Sequence, residues 1–204
     1  QWITGDVANP QAVSDAAAGC TLTIHLAGLL TPACQADPKR GAEVNLIGTL
    51  NVFEAAKHHR QRTVVYASSA GVYGPASGEH PRPETHYGAF KLATEGSARA
   101  YWNTDRMPSV GFRPFVVYGP GRETGISAGP TLACAAAVRG EDYTIGYTGR
   151  SDLLYVDDVA AAFEAAAVVC PDGAHAFNLR GEIADIDDVI TEIRRHEPDA
   201  RLHA

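Results

Sequence analysis

Ser69, Tyr87 and Lys91 are the residues whose types and spacing can do chemistry in this chain. Tyr87-Gly-Ala-Phe-Lys91 heads a segment with a helical pattern, and residues four apart lie on one helix face, one turn apart. A phenol is a poor base at neutral pH, because its unperturbed pKa is near ~10. A neighbouring ammonium favours the phenolate and lowers that value. The tuned phenol can then exchange a proton with an alcohol or carbonyl, while a serine hydroxyl holds the same oxygen. The hydride must go elsewhere, which implies a nicotinamide.

These residues need elements to carry them. Residues 63–67 form an apolar, β-branched run that predicts a buried strand ending in Ser68-Ser69. A Gly/Pro-rich loop then leads to the Tyr-Lys helix at 86–103. The placement is the carboxyl edge of a parallel sheet, where open α/β sheets bind their ligands. Further strands are expected at 1–3, 21–26, 110–117, 143–146, 153–156 and 176–179. Helices are expected at 10–18 (capped by Asn9), 40–58, 130–139, from 157 to 169, and 186–195 with Asp185 as cap. Residues 29–39, with two prolines, predict a loop.

Ala67-Ser-Ser-Ala-Gly-Val-Tyr-Gly74 followed by Tyr87-Gly-Ala-Phe-Lys91 resembles the extended short-chain dehydrogenase/reductase family, the NAD-dependent epimerase/dehydratases. Three more segments fit in order: Val44-Asn45-Leu46-Ile47-Gly48-Thr49, Arg113-Pro-Phe-Val-Val-Tyr-Gly-Pro-Gly121 and Asp152-Leu-Leu-Tyr-Val-Asp-Asp-Val-Ala160. The resemblance implies an α/β, Rossmann-type parallel sheet with helices on both faces and a small C-terminal substrate-binding part. It divides the chain into a partial dinucleotide-binding region at 1–120 and a substrate-binding and C-terminal region at 121–204, interleaved with the sheet. It implies Ser69, Tyr87 and Lys91 as the catalytic set and NAD as cofactor, with NADP not excluded. Asp6, Val7, Leu26, Ala27, Gly28, Pro114 and Val117, together with Tyr87 and Lys91, are the implied cofactor contacts. Asp6 reads equally as a turn residue before Asn-Pro. Asn45 lies where the family has an asparagine near the active site, and reads equally as a polar group bonded inside the helix layer. His25 reads as a packed, hydrogen-bonded histidine. The implied assembly is a homodimer through the helices at 40–58 and 86–103.

The chain departs from that pattern in three places. It lacks the Gly-rich turn that would set a pyrophosphate on a helix N-terminus. With Gln1 at its start, it is expected to lack two strand–helix units, ~60 residues at about 30 per unit, and to bind a dinucleotide weakly by itself. Ala70-Gly71 stands where dehydratases of the family carry an acidic pair, which argues against elimination. Ser151 precedes Asp152 where nucleotide-sugar epimerases usually have arginine, so a UDP-sugar is in doubt. Ser69 and Ala70, with Arg122 or Arg150 gripping a carboxylate or phosphate, are the expected substrate contacts; Arg122 reads equally as a surface residue.

Composition narrows the partners. Charged residues are 20% of the 204 and net charge is −7, without a basic run, which argues against nucleic acid and a membrane-surface helix. No apolar stretch approaches the ~18 residues of a spanning helix. Four scattered cysteines, with no C-x-x-C, read as free thiols of a cytoplasmic protein and not as a metal site. The expected activity is a nicotinamide-dependent oxidation–reduction or epimerisation of a sugar, sugar acid or nucleotide sugar. Two other readings stand beside it: a non-catalytic remnant of the same fold, and a serine esterase using Ser69 in an A-x-S-x-G turn with Asp157 and His175.

Overall fold

A computed structural model describes residues 1–204 as two compact units. The first comprises 1–113 and 161–178, the second 114–160 and 179–204.

The first unit is built on a four-stranded sheet. Its strands are β1 (Thr23–His25), β2 (Val64–Ala67), β3 (Ser109–Pro114) and, from later in the chain, a strand at Ala174–Leu179, in that spatial order. β1, β2 and β3 run parallel, with His25 opposite Tyr66 and Ala67 opposite Phe112. Side chains alternate along each strand, so Val64 and Tyr66 face one layer and Val65, Val110 and Phe112 the other. The first layer holds α1 (Pro10–Ala17) and the long helix that ends as α4 (Gly48–His58), with α5 (His86–Asp105) beside it. Val52, Phe53 and Ala56 of α4 and Ala98 of α5 bury against Val64 and Tyr66. Tyr66 needs Gly111 on the next strand: a Cβ there would fall 2.5 Å from its ring. On the opposite face Phe112 packs against Phe163 of a helix at Val156–Val169, ring centroids 5.0 Å apart. A parallel sheet with helices on both faces is the Rossmann-type arrangement.

Side-chain oxygens cap several helix N-termini, Asn9 as expected and Thr85 unforeseen. Asn9 Oδ1 accepts from the amides of Gln11 and Ala12, and Thr85 Oγ1 from that of Gly88. Residues 29–39 do not form the expected loop. They carry α2 (Thr31–Ala36) and α3 (Pro38–Ala42), because each proline sits in a first helical turn, where its missing N–H costs nothing. α3 then runs into a π-helical turn, Glu43–Ile47, and on into α4. Residues 1–3 are not a strand: they pair with nothing, and Trp2 and Ile3 are exposed. β1 is only three residues long and pairs only with β2, leaving Ile24 and Leu26 exposed.

The expected strand at 110–117 is two strands. It breaks at Phe115, after Pro114, which has no N–H for a ladder. β4 (Val116–Tyr118) belongs to the second unit and pairs in parallel with β6 (Arg150–Tyr155). α6 (Gly129–Arg139) and β5 (Tyr143–Thr144) lie between them in sequence; α7 is the helix at Val156–Val169 and β7 the strand at Ala174–Leu179. β8 (Glu182–Asp185), unforeseen, pairs antiparallel with β6. α8 (Ile186–His196) starts at Asp185, which forms a capping box with Asp188. β9 (Leu202–His203), also unforeseen, pairs with β5. Ala133 and Ala137 of α6, Ile186 and Ile190 of α8, Ile145 and Leu202 form this unit's core. No helix is long and apolar enough to cross a membrane.

Candidate active site

The carboxyl end of β2 and the first turns of α5 meet through two glycines. Gly88 lies so close to the Gly71 carbonyl that a Cβ on it would come within 2.0 Å of that oxygen. Ser69 caps the 3-10 turn Ala70–Val72, its Oγ accepting from the Gly71 amide at 3.0 Å. A Cβ on Gly71 would lie 3.2 Å from Ser69 Oγ and 3.4 Å from Tyr87 Cδ1 and Cε1. The serine hydroxyl and the tyrosine ring therefore flank one bare backbone position.

Lys91 is one turn further along α5. Its side chain is buried, and Nζ donates to the Ala67 carbonyl at 2.6 Å, at the end of β2. Nζ also lies 5.7 Å from the centre of the Tyr87 ring. Burial lowers its pKa from 10.5 to about 8, so the amine is charged at neutral pH. On its other side is the turn after β1: a Cβ on Gly28 would lie 3.6 Å from Lys91 Nζ and 2.7 Å from Asn45 Oδ1.

Asn45, fully buried in the π-helical turn, holds that turn in place. Its Oδ1 accepts from the Leu29 amide, and its Nδ2 donates to the Leu29 carbonyl and to Cys34 Sγ, each at 3.1 Å. The Asn45 carbonyl accepts the Thr49 hydroxyl at 2.7 Å. With that proton committed, Thr49 Oγ1 accepts from His25 Nε2 at 3.0 Å, which assigns the His25 proton to Nε2. Burial, then the Lys91 charge, lowers the His25 pKa to about 4, so it is a neutral packing group.

A second set of residues underlies Ser69. Glu95, a further turn along α5 from Lys91, accepts from Ser68 Oγ (2.5 Å) and Arg113 Nε (2.7 Å) at Oε1, and from Arg113 Nη2 (2.6 Å) at Oε2. Arg113 Nη1 continues to the Tyr73 hydroxyl at 2.8 Å. Sequence reasoning passed over both charges. The signals were present: Glu95 extends the Tyr87–Lys91 face by four more residues, and Arg113 interrupts an apolar strand.

The other expected residues fall elsewhere. Asp6 sits in the turn before α1, its oxygens engaged by the Ala8 amide and by Arg40; the Ala8 amide, then Arg40, lowers its pKa. The Val7 carbonyl accepts from Asn51, while Leu26 and Ala27 are exposed beside Gly28. Pro114, Val117, Arg122 and Arg150 belong to the second unit. There Arg122 Nη2 donates to Ser127 Oγ, and its buried Nε has no partner. Arg150 is exposed at the start of β6. Asp152 is structural, holding Arg180 Nε and the Gly181 amide at 2.8 and 2.7 Å. His175 Nε2 lies against the Asp172 carbonyl, and its ring stacks on Phe177. It makes no hydrogen bond to Ser69, whose hydroxyl accepts from the Gly71 amide. No three His, Cys, Asp or Glu side chains are grouped to hold a metal ion.

The model of the NAD dependent epimerase/dehydratase family matches residues 1–179. The chain belongs to the NAD-dependent epimerase/dehydratase family. The chain is 35% identical over 137 residues to the UDP-glucose 4-epimerase of Mycolicibacterium smegmatis, covering 62% of this chain and 44% of that protein. Human 3 beta-hydroxysteroid dehydrogenase type 7 is 33% identical over 138 residues, covering 59% of this chain and 37% of its own. The chain thus spans less than half the length of either relative. Among solved structures, the Thermus thermophilus UDP-glucose 4-epimerase in complex with NAD superposes with a TM-score of 0.83 at 25% identity, covering 98% of this chain and 70% of that one.

A family member must meet a dinucleotide with its backbone and a few polar groups. The Gly28 turn fits that need: it is exposed, has no side chain, and has an ammonium beside it. The Gly-rich phosphate turn has no counterpart in the sequence.

Proposed function

We propose that this chain carries the catalytic half of a nicotinamide-dependent oxidoreductase or epimerase acting on a sugar, sugar acid or nucleotide sugar. The observation that supports it best is the convergence of Ser69 Oγ and the Tyr87 ring on Gly71, with Lys91 Nζ 5.7 Å from that ring. A bound nicotinamide supplies the acceptor and donor of hydride. Tyr87 moves the proton of the substrate hydroxyl. The Lys91 charge favours negative charge on that phenol, and its ammonium, facing the Gly28 turn, is placed to hold a ribose hydroxyl. Ser69 holds the substrate oxygen by hydrogen bond. Asp6, Val7, Leu26, Ala27, Pro114 and Val117 are the remaining proposed cofactor contacts, and Ala70, Arg122 and Arg150 the proposed substrate contacts. We propose as well a homodimer through the helical stretches 40–58 and 86–103.

The test supplies NAD in excess with a panel of nucleotide sugars, free uronic acids and a 3β-hydroxysteroid, following NADH absorbance and epimer ratio by NMR. Turnover of a sugar is expected, falling about 10²-fold or more in Tyr87→Phe and Ser69→Ala with melting temperatures nearly unchanged. Turnover indifferent to Tyr87→Phe overturns the assignment. Turnover of the steroid alone replaces the substrate class, and no turnover at all favours the non-catalytic reading. Calorimetry should find NAD binding no tighter than ~1 mM, because no Gly-rich turn cradles the pyrophosphate; micromolar binding would contradict that.

A further inference from the structure

We propose that Glu95 and Arg113 are positioning residues that fix the seat of Lys91 and the register of Ser69 by clamping the peptides on either side of the candidate serine. The inference rests on the proposed roles of Ser69 and Lys91. Its geometry is independent of any cofactor.

Four elements of the first unit meet at this pair. Glu95 comes from α5, the helix of Tyr87 and Lys91; Arg113 from β3; Ser68 from the end of β2; Tyr73 from the turn beyond Ser69. Glu95 is almost fully buried and Arg113 nearly so, at 1% and 13% side-chain exposure. Both carboxylate oxygens are committed, in a two-point grip on the guanidinium. Such a pair gives geometric definition as well as energy, and its partners cannot drift without leaving a charge unpaired in the interior.

The step from pair to site runs through one peptide. The carbonyl of Ala67 and the amide of Ser68 belong to the same planar unit. That carbonyl accepts Lys91 Nζ, and the Ser68 hydroxyl is tied to Glu95. Anchoring the serine side chain therefore sets the plane whose oxygen holds the ammonium. Beyond Ser69, Arg113 Nη1 holds the Tyr73 hydroxyl, and Asn178 Oδ1 accepts that same hydroxyl at 3.2 Å. Ser69 is thus pinned from the residue before it and from the far end of its own turn. Glu95 itself is sealed from any ligand, so it acts only through these neighbours.

The chain has three lysines, Lys39, Lys57 and Lys91, so a sample labelled with ¹³C-lysine reports Lys91 as one of three assignable Cε signals. Its titration midpoint, near 8 in the parent, reads the seat directly. The titratable groups facing Lys91 are Cys34 of α2, His25 of β1 and Tyr87 on its own helix, and Ser68→Ala alters none of them. If the clamp positions the seat, Ser68→Ala frees the 67–68 peptide, water reaches the ammonium, and the midpoint rises by about one pH unit. Glu95→Gln should move it in the same direction. Direct loss of a nearby negative charge would instead lower a lysine midpoint, so the sign separates positioning from simple electrostatics. A midpoint that falls in Glu95→Gln, or one that stays put in Ser68→Ala while the melting temperature drops, overturns the proposal. If Glu95→Gln does not fold, Ser68→Ala decides alone, since it leaves the ion pair intact. Failure here leaves the nicotinamide reading standing, and failure of the turnover panel leaves this titration unaffected.

Discussion

Replacing Lys91 by methionine should stabilise the protein near neutral pH while removing its proposed chemistry. Burial lowers the Lys91 pKa from 10.5 to about 8. A pKa displaced by one pH unit corresponds to about 1.36 kcal/mol, so keeping this charge inside costs about 3 kcal/mol near pH 7. The folded value lies below the unfolded one. Between about 8 and 10.5 the unfolded chain therefore binds the extra proton, and stability rises with pH across that window. The penalty is fully present below the window and gone above it. Methionine has a similar length and no charge, but it leaves the Ala67 carbonyl without its donor, a loss of about 1 kcal/mol. The net gain is about 2 kcal/mol near neutrality, or about 4–8 °C in melting temperature for a chain of this size. Urea unfolding of both proteins at steps across the window measures it; the difference curve cancels the groups remote from Lys91, and a Cys34→Ser background in both proteins removes the one thiol whose titration the Lys91 charge shifts. The gain should shrink to nothing, or reverse by the lost hydrogen bond, at the alkaline end. A methionine variant that is less stable near pH 7, or a difference that is flat across the window, would refute the reasoning.

Three further substitutions probe the glycine contact and the buried amide. Gly88→Ala would put a methyl 2.0 Å from the Gly71 carbonyl oxygen, so it should cost about 1–3 kcal/mol and depress turnover by shifting Tyr87. Gly96→Ala, further along α5 with nothing nearer than Arg99 Nη2 at 3.9 Å, should gain about 0.5–1 kcal/mol; equal melting temperatures for the two would show the contact is unimportant. Asn45→Ala orphans the amide and carbonyl of Leu29 and empties a packed volume, for a loss of about 2–4 kcal/mol. Hydrogen exchange at the Leu29 amide should speed up in that variant, and unchanged protection would sink the account.

The Tyr-Lys pair was legible because a four-residue spacing on a helix is a statement about geometry, and Ser68-Ser69 followed from where a β-branched run must stop. The helices that cap themselves, at Asn9 and Asp185, were legible for the same local reason. What was not legible depended on partners distant in sequence. Residues 29–39 read as a loop from their prolines, yet Cys34 and Gly41 pack together, with Gly41 also against Phe90, and that packing favours helix. The strand at 110–117 reads as continuous; only the pairing of β4 with β6 shows that the chain changes sheets at Phe115. β8 exists because β6 is there to pair with. Glu95 and Arg113 are ordinary charges in the sequence and become a site feature only when α5 is laid against β3. Asn45 left two readings open, and both describe it: its side chain bonds Leu29 and Cys34 inside the helix layer, and its Oδ1 faces the Gly28 turn beside Lys91.

The π-helical turn at Glu43–Ile47 has a consequence for insertions and deletions. A wider turn takes up one more residue than an α-helical one, so the helical segments before and after it are one residue out of step. Each residue of an α-helix turns the chain by about 100°. Deleting one residue of this turn would let a uniform α-helix form with the segments before and after it still facing as they do now, since the residue removed is the one the wider turn absorbs. Gly41 would keep its place against Cys34 and Phe90, and the change would fall inside the turn, on Asn45, whose side chain bonds Leu29 and Cys34 and whose carbonyl accepts the Thr49 hydroxyl that orients His25. Length variation among related chains should therefore be tolerated in the largely exposed residues 75–82 and selected against between 43 and 47, where the extra residue seats the Asn45 side chain against Leu29 and Cys34.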